Sequence, residues 1–265
     1  MGESPLLFET DGPVATLTLN RPAKLNAIDA ATLRALREAV AAVAGDDALR
    51  VAVIRGAGER AFSAGADIGE MLALSESGSE SGGMRAYMDL WVGALRDLET
   101  LPKPVIASVH GYATAGGTEL ALACDLVVCS DDARFGLAEI GIGVIPGAGA
   151  TLRLTRVMGR HKAKEILMLG DFVPGAEAAR LGLANRCVTR AELAGATADW
   201  ARRLAAGPPL ALAAVKRLVN EAAEKPLSEA MTDGLEAFLG LFESDDQKRG
   251  MRAFLEKRKA DFKGR

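Results

Sequence analysis

Residues 103–130 read KPVIASVHGYATAGGTELALACDLVVCS. An apolar run, VIASV, is followed by the pair Gly116-Gly117, a short stretch of helix-forming residues and a second β-branched run, LVVCS. Strand, helix and strand in so short a span point to an α/β core. The same alternation extends toward the N-terminus. LLFETDGPVATLTLN predicts two strands joined at Asp11-Gly12, and Asp29 is placed to cap a helix that stops near Gly45. VAVIRG is a buried strand, and a helix is predicted from about Met84 to Leu98. Residues 75–83, SESGSESGG, are the one low-complexity patch and predict a mobile loop. From about Thr151 helices dominate, around 151–158, 161–169, 176–182, 190–206, 209–223 and 227–258. The expected organisation is a strand-rich core over 1–190 and a helical C-terminal region over 191–265.

Charge and cysteine content narrow the function classes. The formal net charge is −3, so no basic field argues for nucleic acid. MGESPLLFETDG lacks the positive segment and apolar run of a signal peptide, and no apolar stretch is long enough to span a bilayer. Cys124, Cys129 and Cys187 sit among apolar neighbours and read as buried free thiols in a reducing cytoplasm. They lack zinc-ligand spacing, and with only His110 and His161 in the chain no metal site is expected.

Glu119 is the residue that fits a mere scaffold least. A carboxylate in an apolar stretch is costly unless paired or protonated, and a glycine pair in the first turn weakens its helix. Backbone N–H groups at that helix start are unpaired, and glycine lets a ligand approach them. Such amides can stabilise an oxyanion, each worth about 2.7–4 kcal/mol in a transition state. The bland alternative is a glycine pair required by helix–strand packing. SAGAD, residues 63–67, offers a similar opening: Ala64, Gly65 and Ala66 are small, while Asp67 and Glu70 have the spacing of a capping box. In FGLAEIGIGVIPGAGAT, residues 135–151, Glu139 has apolar neighbours and is followed by four glycines and a proline. It either faces water or lines a ligand wall. Two semi-buried glutamates are suited to acid–base work, because apolar surroundings raise carboxyl pKa values toward neutrality. Lys24 alone reads as a solvated lysine, and Phe254 and Lys257 as parts of an amphipathic surface helix.

Taken together, NRPAKLNAID, AFSAGADI, KPVIASVHGYATAGGTELALACDL, ARFGLAEIGIGVIPGAG and AFLEKRKADF resemble the enoyl-CoA hydratase/isomerase (crotonase) superfamily, in order and over nearly the whole chain. The likeness is greatest to short-chain enoyl-CoA hydratases, because both of that group's catalytic glutamates have counterparts, Glu119 and Glu139, twenty residues apart. The resemblance implies a β-β-α spiral core, a helical trimerisation region, and a homotrimer or a homohexamer built as a dimer of trimers. It implies that the Ala66 and Gly116 amides form the oxyanion hole and that Gly147 helps position water. Coenzyme A would lie near Lys24, Leu25, Ala27, Ala64, Asp67 and Ile68, with Phe254 and Lys257 supplied by a neighbouring subunit. Coenzyme A is then part of an acyl-CoA thioester substrate, and no separate cofactor is implied. The implied reaction adds water to a 2-enoyl-CoA, with Glu119 holding water and Glu139 delivering a proton.

The chain departs from the family pattern at Thr114-Ala115, before the glycine pair, and at Ala150-Thr151-Leu152, where many relatives have Gly-Thr-Gln. An enoyl-CoA isomerase or another acyl-CoA enzyme of the same fold stays open at this point, as does an RNA-binding family member. A valine at position 116 is expected to cripple turnover while leaving the melting temperature near normal.

Overall fold

The computed structural model describes residues 4–78 and 82–265. A hairpin of β1 (Leu6–Asp11) and β2 (Val14–Leu19) turns at Asp11-Gly12 and leads into α1 (Ala30–Gly45). Asp29 caps α1: its Oδ1 accepts from Thr32 N at 2.8 Å. Leu33, Leu36, Val40 and Val43 recur at helical spacing and form the buried face.

After α1 the chain repeats one unit. β3 (Val51–Gly56) and β4 (Ala61–Ser63) precede α2 (Ile68–Glu76) and α3 (Gly83–Thr100). β5 (Val105–Val109) and β6 (Tyr112–Thr114) precede α4 (Gly116–Leu122). β7 (Leu126–Ser130) and β8 (Arg134–Gly136) precede α5 (Ala150–Leu169). β9 (Val173–Pro174), α6 (Gly175–Leu181) and β10 (Arg186–Val188) follow. Each unit places one strand in a six-stranded sheet, ordered β1-β2-β3-β5-β7-β10, and one in a four-stranded sheet, ordered β4-β6-β8-β9. All pairs are parallel except β1–β2 and β8–β9. This is the β-β-α spiral expected from the resemblance.

Every residue of β5 and the first four of β3 are buried, as strands covered on both faces must be. One face carries Ala52, Ile54, Ala107 and Val109 into the main core with α1 and α3. The other face, Val51, Val53, Ile106 and Val128, is covered by Leu193 and Ala201 of α7 (Leu193–Ala205). α8 (Pro209–Ala222), α9 (Leu227–Leu241) and α10 (Asp245–Leu255) complete the chain. Among the described residues no helix is long and apolar enough to cross a membrane.

Three expectations need correction. The helix predicted over 227–258 is two helices, because Ser244 Oγ accepts from Gln247 N and starts a new one. The break falls in the polar run 243–250, where the apolar pattern is interrupted and Ser244 stands as an N-cap residue. β4, β6 and β8 are three-residue strands in segments where no strand was expected. Their main-chain pairing is long-range, beyond the reach of local propensity. Only Cys129 is buried; Cys124 and Cys187 are half-buried, and all three are free. Of the loop expected over 75–83, residues 79–81 lie outside the described residues.

Candidate functional site

Two loops meet at the head of α4. Gly65 has φ +85°, and a Cβ on it would lie 2.7 Å from Gly116 N and 2.9 Å from Ala115 Cβ. Main chain thus packs on main chain, which only glycine permits. Residues 21–28 hold the 64–67 loop from its other side. Ala64 N donates to Leu25 O (2.9 Å), Ile28 N to Gly65 O (2.7 Å) and Asp67 N to Ile28 O (2.9 Å).

Side chains reinforce this frame. The Arg21 guanidinium pairs with Asp67 (2.9 Å) and Asp29 (3.0 Å) and donates to Ala27 O (2.7 Å). The exposed Lys24 adds a 3.1 Å pair to Asp67. Burial works to raise the Asp67 carboxyl, but Lys24, Arg21 and the Glu70 amide outweigh it and hold the group below its ordinary value. Asp67 caps α2 through Gly69 N and Glu70 N. Glu70 does not complete the expected capping box. Its Oε2 accepts instead from Ala30 N at 3.0 Å, at the head of α1, a tertiary contact that outcompetes the local one. The structure therefore brings Lys24, Leu25, Ala27, Ala64, Ala66, Asp67 and Ile68 into one loop pair beside Gly116.

Among the described residues neither the Ala66 amide nor the Gly116 amide donates to a protein acceptor. For Gly116 this follows from its place as the first residue of α4. Ala115, just before it, has φ +51° and ψ −123°, a glycine-type conformation held by an alanine. Its N–H donates to Gly136 O at 2.8 Å. Gly116 itself lies against α3, where an added Cβ would come within 2.5 Å of Trp91 Cη2. The packing explanation for this glycine therefore holds alongside the amide explanation. This contact argues against the expectation that valine at 116 leaves the melting temperature near normal.

Glu119, one turn into α4, is 4% exposed. Its Oε1 accepts from Ala148 N (2.9 Å) and Ala150 N (3.0 Å), on either side of Gly149. Burial pushes this carboxyl up, while the two amides and the Arg153 guanidinium pull it back without cancelling the rise. Glu139 begins the turn of 3₁₀ helix Glu139–Ile142 and is half-buried. Its Oε2 is shielded from solvent and, among the described residues, has no hydrogen-bond partner. Burial first, then the charge on Glu119, push the Glu139 carboxyl up to about 7. Gly147 directly precedes the Ala148–Ala150 turn and is packed under the Met88 thioether. The site thus combines two undonated amides, one carboxylate gripped by backbone and one carboxyl that titrates near neutrality. That combination can stabilise an oxyanion while moving a proton.

The model of the family "Enoyl-CoA hydratase/isomerase" matches residues 9–265. The chain belongs to the enoyl-CoA hydratase/isomerase family. It is 37% identical over 261 residues to the short-chain-enoyl-CoA hydratase of Clostridium acetobutylicum, covering 98% of each chain. It is 40% identical over 265 residues to a probable enoyl-CoA hydratase of Rhizobium meliloti, covering 100% of each. The crystal structure of an enoyl-CoA hydratase from Bacillus anthracis superposes with a TM-score of 0.93 at 31% identity, covering 98% of this chain and 100% of that one.

Within this member of the family Phe254 and Lys257 stand apart from the loops. Phe254 is 82% exposed at the end of α10, and among the described residues no hydrogen bond or ion pair joins either residue to 21–28 or 64–68. Sequence reasoning missed Trp91, Met88, Arg21 and Arg153. Only their tertiary partners distinguish them.

Proposed function

We propose that this chain hydrates 2-enoyl-CoA thioesters to 3-hydroxyacyl-CoA. One observation carries the reading: two neighbouring glutamates in unlike environments beside a pair of undonated amides. The thioester carbonyl accepts from the Ala66 and Gly116 N–H groups. As hydroxide equivalent adds to the β-carbon, negative charge moves onto that oxygen as an enolate, where fixed donors stabilise it most. Glu119, its Oε1 held by Ala148 and Ala150, keeps its other oxygen for water. Gly147 directly precedes that turn and helps place that water. Glu139, titrating near 7, delivers a proton to the α-carbon. One water is consumed: its oxygen and one hydrogen bond to the β-carbon, and the balance of protons returns to the carboxyl pair.

Coenzyme A extends along Lys24, Leu25, Ala27, Ala64, Asp67 and Ile68 in this reading, with Phe254 and Lys257 completing the site from a neighbouring subunit. A trimer or hexamer belongs to the same proposal. It is supported by the exposed apolar residues Leu227, Met231, Leu235 and Phe238 along α9, and Phe254 and Leu255 on α10. A reducing cytoplasm suits the three unbridged thiols.

The test is loss of conjugated-thioester absorbance with crotonyl-CoA, alongside a 3-enoyl-CoA to expose isomerase activity. Glu119→Gln and Glu139→Gln should each lower hydration by at least ~10² with CoA affinity retained. Near-normal hydration by either variant removes that residue from the mechanism. Sedimentation velocity measures the assembly, and a fully active monomer overturns the shared site.

A further inference from the structure

The grip on Glu119 is itself held by a third group. Its two amide donors, Ala148 and Ala150, belong to a turn whose central Gly149 has φ +103°. Nothing in that turn is regular secondary structure until α5 begins at Ala150. What fixes it is Arg153, one turn into α5. Its Nη1 donates to Ala148 O at 2.5 Å, so the same residue offers its N–H to Glu119 and its carbonyl to Arg153. The guanidinium packs so closely that a Cβ on Gly149 would fall 2.6 Å from Nη1. The rest of the fork is spent on Glu99 at the end of α3, with Nε–Oε1 at 2.6 Å and Nη2–Oε2 at 2.9 Å. Such a bidentate pair fixes orientation as well as charge. Glu99 is anchored in turn, since Asn220 of α8 donates to its carbonyl at 3.1 Å.

We propose that Arg153, braced by Glu99, is the positioning residue for Glu119: it sets the Ala148–Ala150 turn, and through it the place of the carboxylate. This rests on the hydratase reading of Glu119. The geometry also gives Arg153 an electrostatic part, because among the described residues its guanidinium is the cation that lowers the Glu119 carboxyl. The facing groups are few. Among the described residues α5 brings Arg153, α3 brings Glu99 behind that guanidinium, the 139–142 turn brings Glu139, β4 brings no titratable side chain, and β6 brings Tyr112, whose ring lies against Phe172. A plain cross-tie between α3 and α5 would explain the ion pair. It would not explain why one guanidinium nitrogen is aimed at the carbonyl of the residue that grips Glu119.

The two roles separate by readout. Arg153→Gln should lower kcat by about 10–100-fold with KM little changed, since a misplaced catalytic group costs on this scale while the 21–28 and 64–68 loops are untouched. Its acid limb in the kcat profile should move to higher pH, because losing a cation raises the pKa of Glu119. Arg153→Lys should keep the limb in place but recover only part of kcat, since it restores charge without the fork. Glu99→Gln should fall between wild type and Arg153→Gln. An activity-independent measurement accompanies these: the ¹³C carboxyl titration of Glu119, assigned with Glu119→Gln, should shift upward in Arg153→Gln. Folded Arg153→Gln with wild-type kcat and an unmoved titration overturns the proposal, as does a loss confined to KM. If Arg153→Gln does not fold, Arg153→Lys and Glu99→Gln carry the test: wild-type kcat in both overturns it. A wild-type protein inert toward crotonyl-CoA would sink the hydratase reading, while the carboxyl titration would still decide whether Arg153 governs Glu119.

Discussion

Trp91 of α3 lies over the Cα of Gly116, so close that a methyl group built on the glycine falls 2.5 Å from Cη2 of the indole. Both groups are buried. Replacing an exposed helical glycine gains up to about 1 kcal/mol in propensity. Overpacking a core costs about 1–3 kcal/mol. Overpacking wins here, so Gly116→Val should melt below wild type, and adding Trp91→Leu should recover part of the loss. Thermal unfolding by circular dichroism checks both. A Gly116→Val protein that melts at or above wild type contradicts the contact.

The Glu139 carboxyl links stability to pH. Its ordinary value is 4.5 and the folded site raises it to about 7. The folded protein therefore binds this proton more tightly than the unfolded chain does. The resulting stability is fully present below pH 4.5 and is lost as pH rises toward about 7. Glu139→Gln mimics the protonated form at every pH. It should match wild type near pH 4.5 and be the more stable protein at pH 8. Equilibrium urea unfolding at the two pH values measures this; equal differences at both would contradict a raised carboxyl.

Ala115 occupies φ +51°, ψ −123°, a conformation that an alanine Cβ opposes and glycine adopts freely. Strain of this kind costs about 1–3 kcal/mol. Glycine returns about 0.5–1 kcal/mol of that through its freer unfolded state. Ala115→Gly should therefore stabilise the protein by about 1 kcal/mol, or about 2–4 °C in melting temperature for a chain of this size. A lower melting temperature would show that the Ala115 methyl contributes more by packing than it costs in strain.

Asp125 and Lys216 form a 2.8 Å ion pair joining the start of β7 to α8. Lys216 is 8% exposed and also donates to Leu98 O and Lys103 O, while Asp125 accepts from Val105 N. Burial raises the Asp125 carboxyl, and Lys216 only partly opposes it. Removing one partner leaves a buried charge alone, at a cost of about 3–5 kcal/mol. Asp125→Ala should sit near the lower end, because the stranded Lys216 ammonium keeps the Leu98 and Lys103 carbonyls as acceptors. Asp125→Asn with Lys216→Met should be less damaging than Asp125→Ala. Urea unfolding of the three proteins decides; a double variant as unstable as the single one would count against an isolated-charge penalty.

Glu119 was legible in the sequence because it contradicts its surroundings, whereas Glu139 was singled out by the family resemblance. An acid inside LALAC-type apolar context is a local conflict that one strand of text displays. The cap at Asp29 was legible for the same reason: Ncap and helix are neighbours in the chain. Glu70 shows the limit. Its spacing from Asp67 fits a capping box, yet its carboxylate serves Ala30, forty residues away.

Residue types and their order along the chain were enough to determine the α/β class and the alternation of strands with helices, and to single out Glu119 as out of place in its apolar stretch. These are properties of short windows, where periodicity and desolvation cost act residue by residue. Tertiary structure alone decided what each carboxylate is. Two amides from a turn some thirty residues on grip Glu119, an arginine anchors that turn, and Glu139 is left with an unpartnered oxygen and a carboxyl near 7. It also decided that Gly116 serves packing as well as its amide, since Trp91 comes from another helix. The physical reason is common to all three. A pKa, a hydrogen-bond grip and a steric limit depend on distances between atoms that the chain brings together only by folding.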